Sequence, residues 1–191
     1  MRVASLLLFI FLQNIVFGQQ RDDSRFLFAP VLGFNVSQID GDMLAGFYKL
    51  GIHAGGMVYV KLTDDGPISL SMEMLFNQKG SSTRPGRVPK SKILLNYVDI
   101  PVQINYHDKD RMIFGLGANY ARMINAKTNL GITDDFDSRE VGYLVTITFM
   151  AKEHLGIGLR YSGSISSFGT AANPDTELIN RSITLRLSYL L

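Results

Sequence analysis

Apolar and polar residues alternate with a period of two along most of this chain, the signature of strands with two unlike faces. The pattern is cleanest at the C-terminus. Ile183, Leu185, Leu187, Tyr189 and Leu191 share one face there, and Ser182, Thr184, Arg186 and Ser188 the other. Ile68, Leu70, Met72, Met74 and Phe76 form a second apolar row against Ser69, Ser71, Glu73, Asn77 and Lys79, with Leu75 the exception. Similar rows run over Val98 to Tyr106, Met112 to Tyr120, Val141 to Phe149 and Ile157 to Tyr161. Two glycine-rich, less regular candidates cover residues 25–37 and 47–62. Together these segments predict eight strands and no amphipathic helix.

The connections alternate as well. Short links at 63–66, 107–110 and 151–154 take turns with long polar links at 38–45, 78–92, 125–140 and 164–180. Short turns on one side and longer loops on the other are how outer-membrane barrels are built. The expected fold is therefore all-β, an eight-stranded antiparallel up-and-down transmembrane β-barrel with short periplasmic turns and long extracellular loops. An even strand number puts both termini on the periplasmic side. A soluble barrel would turn its apolar rows inward and put its polar rows in water. Here the polar rows are rich in Gly, Ser, Thr, Ala and Asn rather than in Lys and Glu. Small residues with a few long charges suit the narrow interior of an eight-stranded barrel. Phe26, Phe34, Tyr106, Tyr120, Phe149, Tyr161 and Tyr189, near strand ends, would then form interfacial girdles.

Residues 1–18 read as a secretory signal peptide. Arg2 supplies the positive charge, ASLLLFIFL from Ala4 to Leu12 the hydrophobic run, and Val16 and Gly18 the small residues of a cleavage site. The run is far shorter than the ~20 residues of a spanning helix. Residues 19–191 would form the barrel domain. Of the 191 residues, 46% are hydrophobic and 19% charged, too apolar for a disordered chain. A net charge of +2 supplies no field for nucleic acid. The absence of cysteine excludes disulfides, thiol catalysis and Cys-ligated metal.

Several strings in order carry a resemblance. They are Glu73-Met-Leu-Phe-Asn-Gln-Lys79-Gly80, then Leu95-Asn-Tyr97-Val-Asp99-Ile100-Pro101, Gly115-Leu-Gly117-Ala-Asn-Tyr120 and Gly158-Leu-Arg160-Tyr161, followed by the alternating C-terminal segment. The set resembles the PorT-like outer-membrane β-barrel family of Bacteroidetes, which shows a Tyr-x-acid-Ile-Pro pattern where Tyr97 to Pro101 stand. The resemblance implies an eight-stranded barrel, usually without known enzymatic activity, some of whose members serve secretion, gliding or other envelope assemblies. Leu191 departs from it, because many such barrels end in an aromatic residue.

The candidate chemistry is sparse. Glu73, Arg160 and Arg186 fall on the small polar face, and Asp99 could join them. In a narrow lumen such charges must pair, since desolvating a lone ion costs several kcal/mol. They predict a structural charge network plugging the lumen, against a gated ion path in which the pairs would swap partners. The basic stretch Lys79, Arg84, Arg87, Lys90 and Lys92 reads as a loop that contacts lipopolysaccharide or an acidic partner. Asp134, Asp135, Asp137 and Glu140 read as a solvated acidic loop rather than a Ca²⁺ site, because the spacing is not that of an EF-hand.

His53 is expected in the lumen and His107 and His154 in short turns. A lipid-modifying enzyme would need a serine beside one of them, and Ser162 and Ser164 are the candidates on the seventh strand. Pro101 marks a strand start, a bulge or a locally frayed pair. The reading is a non-enzymatic barrel with no cofactor or metal. It would work as a structural or docking subunit of a larger envelope complex, in contact with outer-membrane lipid, lipopolysaccharide and other envelope proteins. The alternatives are a stand-alone stabilising or adhesion barrel, a lipid-modifying enzyme, and a soluble ligand-binding barrel.

Overall fold

A computed structural model describes residues 26–42, 44, 46–62, 66–86, 88, 91–108, 111–128, 138–167 and 177–191. The signal-peptide segment lies outside the described residues. Eight strands follow in chain order: β1 (Phe26–Asp40), β2 (Lys49–Lys61), β3 (Ile68–Ser82), β4 (Lys92–His107), β5 (Met112–Thr128), β6 (Arg139–Met150), β7 (Leu155–Ser164) and β8 (Ile179–Tyr189). Each pairs antiparallel with its neighbours, and β1 pairs with β8 from Val31↔Ser188 to Asp40↔Ile179, so the sheet closes. Closure leaves no sheet edge exposed in hydrocarbon, the condition for crossing a membrane as strands.

Polarity is inverted relative to a soluble barrel. Met74, Leu185 and Leu187 are 65%, 56% and 49% exposed on the outside, while Glu73 and Arg186 are 2% and 3% exposed within. Of the aromatic residues expected at strand ends, Phe26, Tyr106, Phe149 and Tyr189 stand there on the outer face, whereas Phe34 and Tyr120 are outward but in mid-strand.

Every strand pair keeps a continuous register except two neighbours. β4 and β5 shift register between Asn96 and Tyr97, a bulge. Between β3 and β4 the ladder runs to Met72↔Val102 and resumes at Leu75↔Asp99. The two skipped pairs, Glu73 with Pro101 and Met74 with Ile100, both need an N–H at position 101, which proline lacks. On the β5 side Pro101 pairs normally with Asn119. Pro101 is thus a local fraying of one ladder, set in mid-strand.

The strands run longer on the long-loop side than the alternation indicates. β1 continues to Asp40, β3 to Ser82 and β5 to Thr128, and β4 begins at Lys92. The cause is a second kind of inward row. At that end Ile39, Ile93, Leu95, Tyr97, Ala121 and Leu178 pack into a buried apolar cluster inside the barrel, which blurs the alternation there. A matching cluster of Ala29, Val31, Met57, Tyr59 and Leu75, joined by Leu27 and Leu190, lies toward the short-turn end. The chain end is tied down as well, with the Leu191 amide donating to the Phe28 carbonyl at 2.8 Å.

Candidate functional site: two buried ion clusters in the lumen

Glu73, Arg160 and Arg186 come together from β3, β7 and β8. The odd-numbered residues of β3 point inward, which buries Glu73, and the alternation of β7 and β8 does the same for the arginines. Arg160 is bidentate on the carboxylate, with Nη1 to Oε2 at 2.8 Å and Nη2 to Oε1 at 2.7 Å. Arg186 makes a second fork, both nitrogens at 3.0 Å. The Arg160 Nε donates to Thr146 Oγ1 at 3.0 Å, and Thr146 donates onward to Gln103 Oε1 at 3.1 Å. Two guanidiniums share one carboxylate, so this cluster carries an excess positive charge. Gly158 leaves room for Arg186, because a Cβ there would press on the arginine's Cγ and on Thr148 Oγ1, both at 3.0 Å.

Asp99 does not join this cluster. Register sets it opposite Leu75 rather than Glu73, farther along the barrel. There it accepts from Asn77 Nδ2 at 2.8 Å and lies 3.4 Å from Lys79 Nζ. The same ammonium donates to Glu140 Oε1 at 2.9 Å and stands 4.6 Å from the centre of the Tyr97 ring. Asn180 Nδ2 completes the group, donating to Glu140 Oε2 at 2.5 Å and to the Tyr97 hydroxyl at 3.1 Å. One ammonium between two carboxylates makes this cluster excess negative, the complement of the first.

Two expectations are corrected here. Lys79 is not part of the basic contact loop. It is an inward residue of β3, 3% exposed, because the strand continues past it to Ser82. Gly80 permits that continuation with a φ of +140°, where a Cβ would run into the Ile93 carbonyl. Glu140 likewise leaves the acidic loop, being the second residue of β6 and 3% exposed. Of the remaining basic set, Arg84 lies in the β3–β4 connection and Lys92 opens β4, both at the long-loop end, while Arg87 and Lys90 lie outside the described residues. So do Asp134, Asp135 and Asp137.

Sequence reasoning missed Lys79, Glu140, Tyr97, Asn77 and Asn180 as lumen partners. The signal for Lys79 was present, since it shares the parity of Glu73 along one strand. The histidines take ordinary roles. His53 Nδ1 lies 3.3 Å from Asn77 Oδ1, His107 Nε2 2.7 Å from Ser69 Oγ, and His154 Nδ1 3.1 Å from the Leu190 carbonyl. The hydroxyl of Ser162 is paired with that of Ser182 at 2.8 Å, not with a histidine. Among the described residues no group of three His, Cys, Asp or Glu side chains is placed to hold a metal ion.

A closed antiparallel barrel, apolar outside and ion-paired within, is an outer-membrane β-barrel. The chain belongs to the outer membrane protein beta-barrel domain family, whose model matches residues 17–169. No curated protein matches it. Among solved structures it resembles Ail, the attachment invasion locus protein of Yersinia pestis, at 10% identity and a TM-score of 0.53, covering 88% of this chain and 100% of that one. Neisserial surface protein A is similar at 12% identity and a TM-score of 0.49, covering 87% and 97%. OprG of Pseudomonas aeruginosa matches at 10% identity and a TM-score of 0.46, covering 88% and 96%. At such identities the likeness to Ail speaks for the fold alone.

Proposed function

We propose that this barrel acts by contact, as a structural or docking subunit of a larger envelope assembly of the PorT-like kind, and that it catalyses nothing. The observation that carries the reading is the lumen. Two complementary ion clusters and two apolar clusters fill it, which suits a rigid scaffold better than a conduit or a ligand pocket. The surfaces left for work are the long loops and the outer wall. In this reading residues 1–18 direct export and both termini face the periplasm. Arg84, Arg87, Lys90 and Lys92 meet lipopolysaccharide or an acidic partner outside. The source is a member of the Bacteroidetes, as the ordered motifs suggest.

The test is in-cell cross-linking followed by extraction in mild detergent and mass spectrometry of what accompanies the barrel. The reading expects the same one or few envelope proteins in stoichiometric amounts. A barrel recovered alone after efficient cross-linking contradicts it.

A further inference from the structure

We propose that the outer wall holds one phospholipid acyl chain in a defined groove across β1 to β4, at the short-turn end. The groove has a volume of about 800 Å³. Its sides are outward residues such as Phe28, Val58, Leu70 and Met72. Its floor is unusual, because it reaches Ala29, Gly55, Met57 and the ion-paired Glu73, which belong to the inward-facing set by parity. Gly55 is inward by position yet exposed, so the wall is thin there. The same patch adjoins the ladder gap beside Pro101, and Met74 and Ile100, the pair lost to that proline, both line the groove.

The occupant follows from continuity with the surface around it. The outer wall of a membrane barrel faces hydrocarbon, and this hollow is an indentation of that wall, so a hydrocarbon chain is what meets it. Filling the hollow recovers dispersion contacts that an unfilled one would forfeit. Met72 and Met74 bring unbranched, adaptable outward side chains to a flexible chain. The choice of a phospholipid over lipopolysaccharide rests on the proposed orientation, in which short turns face the periplasmic leaflet.

Gly56 provides a clean probe. It lies on the groove surface, and a Cβ added there meets nothing within 4 Å. Gly56→Phe therefore fills the groove without pressing on the barrel, Val58→Phe narrows it from β2, and Leu159→Phe on β7 is the control on a distant part of the wall. Each barrel is checked for heat-modifiable migration, then titrated in mild detergent with palmitoyl-oleoyl phosphatidylethanolamine and, separately, with lipid A, by native mass spectrometry.

The expected result is a saturable adduct of one phospholipid on the wild type and on Leu159→Phe, weakened roughly tenfold in both groove variants. Equal binding by folded groove variants, no saturable adduct on the wild type, or a preference for lipid A each overturns the proposal. So does a co-purifying protein that Gly56→Phe releases while phospholipid binding stays unchanged. None of these outcomes depends on the cross-linking result, so this proposal and the docking role fail separately.

Discussion

Glu73 is the residue on which the lumen depends most. It pairs with two guanidiniums at once, and both forks are buried with it. Removing one partner of a buried ion cluster leaves the others desolvated and uncompensated. Glu73→Gln is expected to destabilise the barrel by about 3–5 kcal/mol, read as a lowered urea midpoint for loss of the heat-modifiable form. Replacing Glu73, Arg160 and Arg186 together with apolar residues of similar size should cost far less than that single change, because no orphaned charge remains. Lys79→Met should behave like Glu73→Gln, since it strands Asp99 and Glu140 together. Arg84→Ala, in the β3–β4 connection, should stay within about 0.5 kcal/mol of wild type. Glu73, Arg160 and Arg186 were legible as inward charges from alternation alone. That Asp99 belongs with Lys79 was not, because residues on facing walls meet according to register and tilt, which one strand's pattern does not contain.

Among the elements, β4 shows best what local pattern can and cannot tell. From Val98 onward it alternates plainly, and its place in the barrel was legible. Its first third carries apolar residues on both faces, with Ile93, Leu95 and Tyr97 inside and Leu94 outside, so the alternating row could be read only from Val98. Only the closed end of the barrel explains inward aliphatic side chains there. Pro101 was readable as an irregularity, and the structure limits its effect to the ladder toward β3. Pro101→Val restores the missing donor. It is expected to place a slowly exchanging amide at position 101, donating to the Glu73 carbonyl, and to add about 0.5–1.5 kcal/mol of stability. Fast exchange of that amide would mean that the gap is held open by something other than proline.

At the scale of the whole molecule, closure turns eight marginal strands into one unit. The strand ends joined by the short connections at 62–67, 108–111 and 151–154 and those joined by the longer ones at 41–48, 83–91, 129–138 and 165–178 lie at opposite ends of the barrel. This separation was visible in the spacing of the sequence, even though several strand ends were not. The filled lumen predicts that the purified barrel gives no steady conductance in planar bilayers. A large, stable current would contradict both clusters as plugs.

The central claim is the inversion of polarity, and the absence of cysteine makes it directly testable. Single cysteines introduced in turn from Thr184 to Ser188 along β8 and spin-labelled in lipid bilayers report which solvent each position meets. Labels at positions 185 and 187 should be mobile and relaxed by oxygen, the probe that concentrates in hydrocarbon, while those at 184, 186 and 188 should be immobile and shielded. The opposite phase, with 185 and 187 shielded and their neighbours open to solvent, would contradict the account at its root.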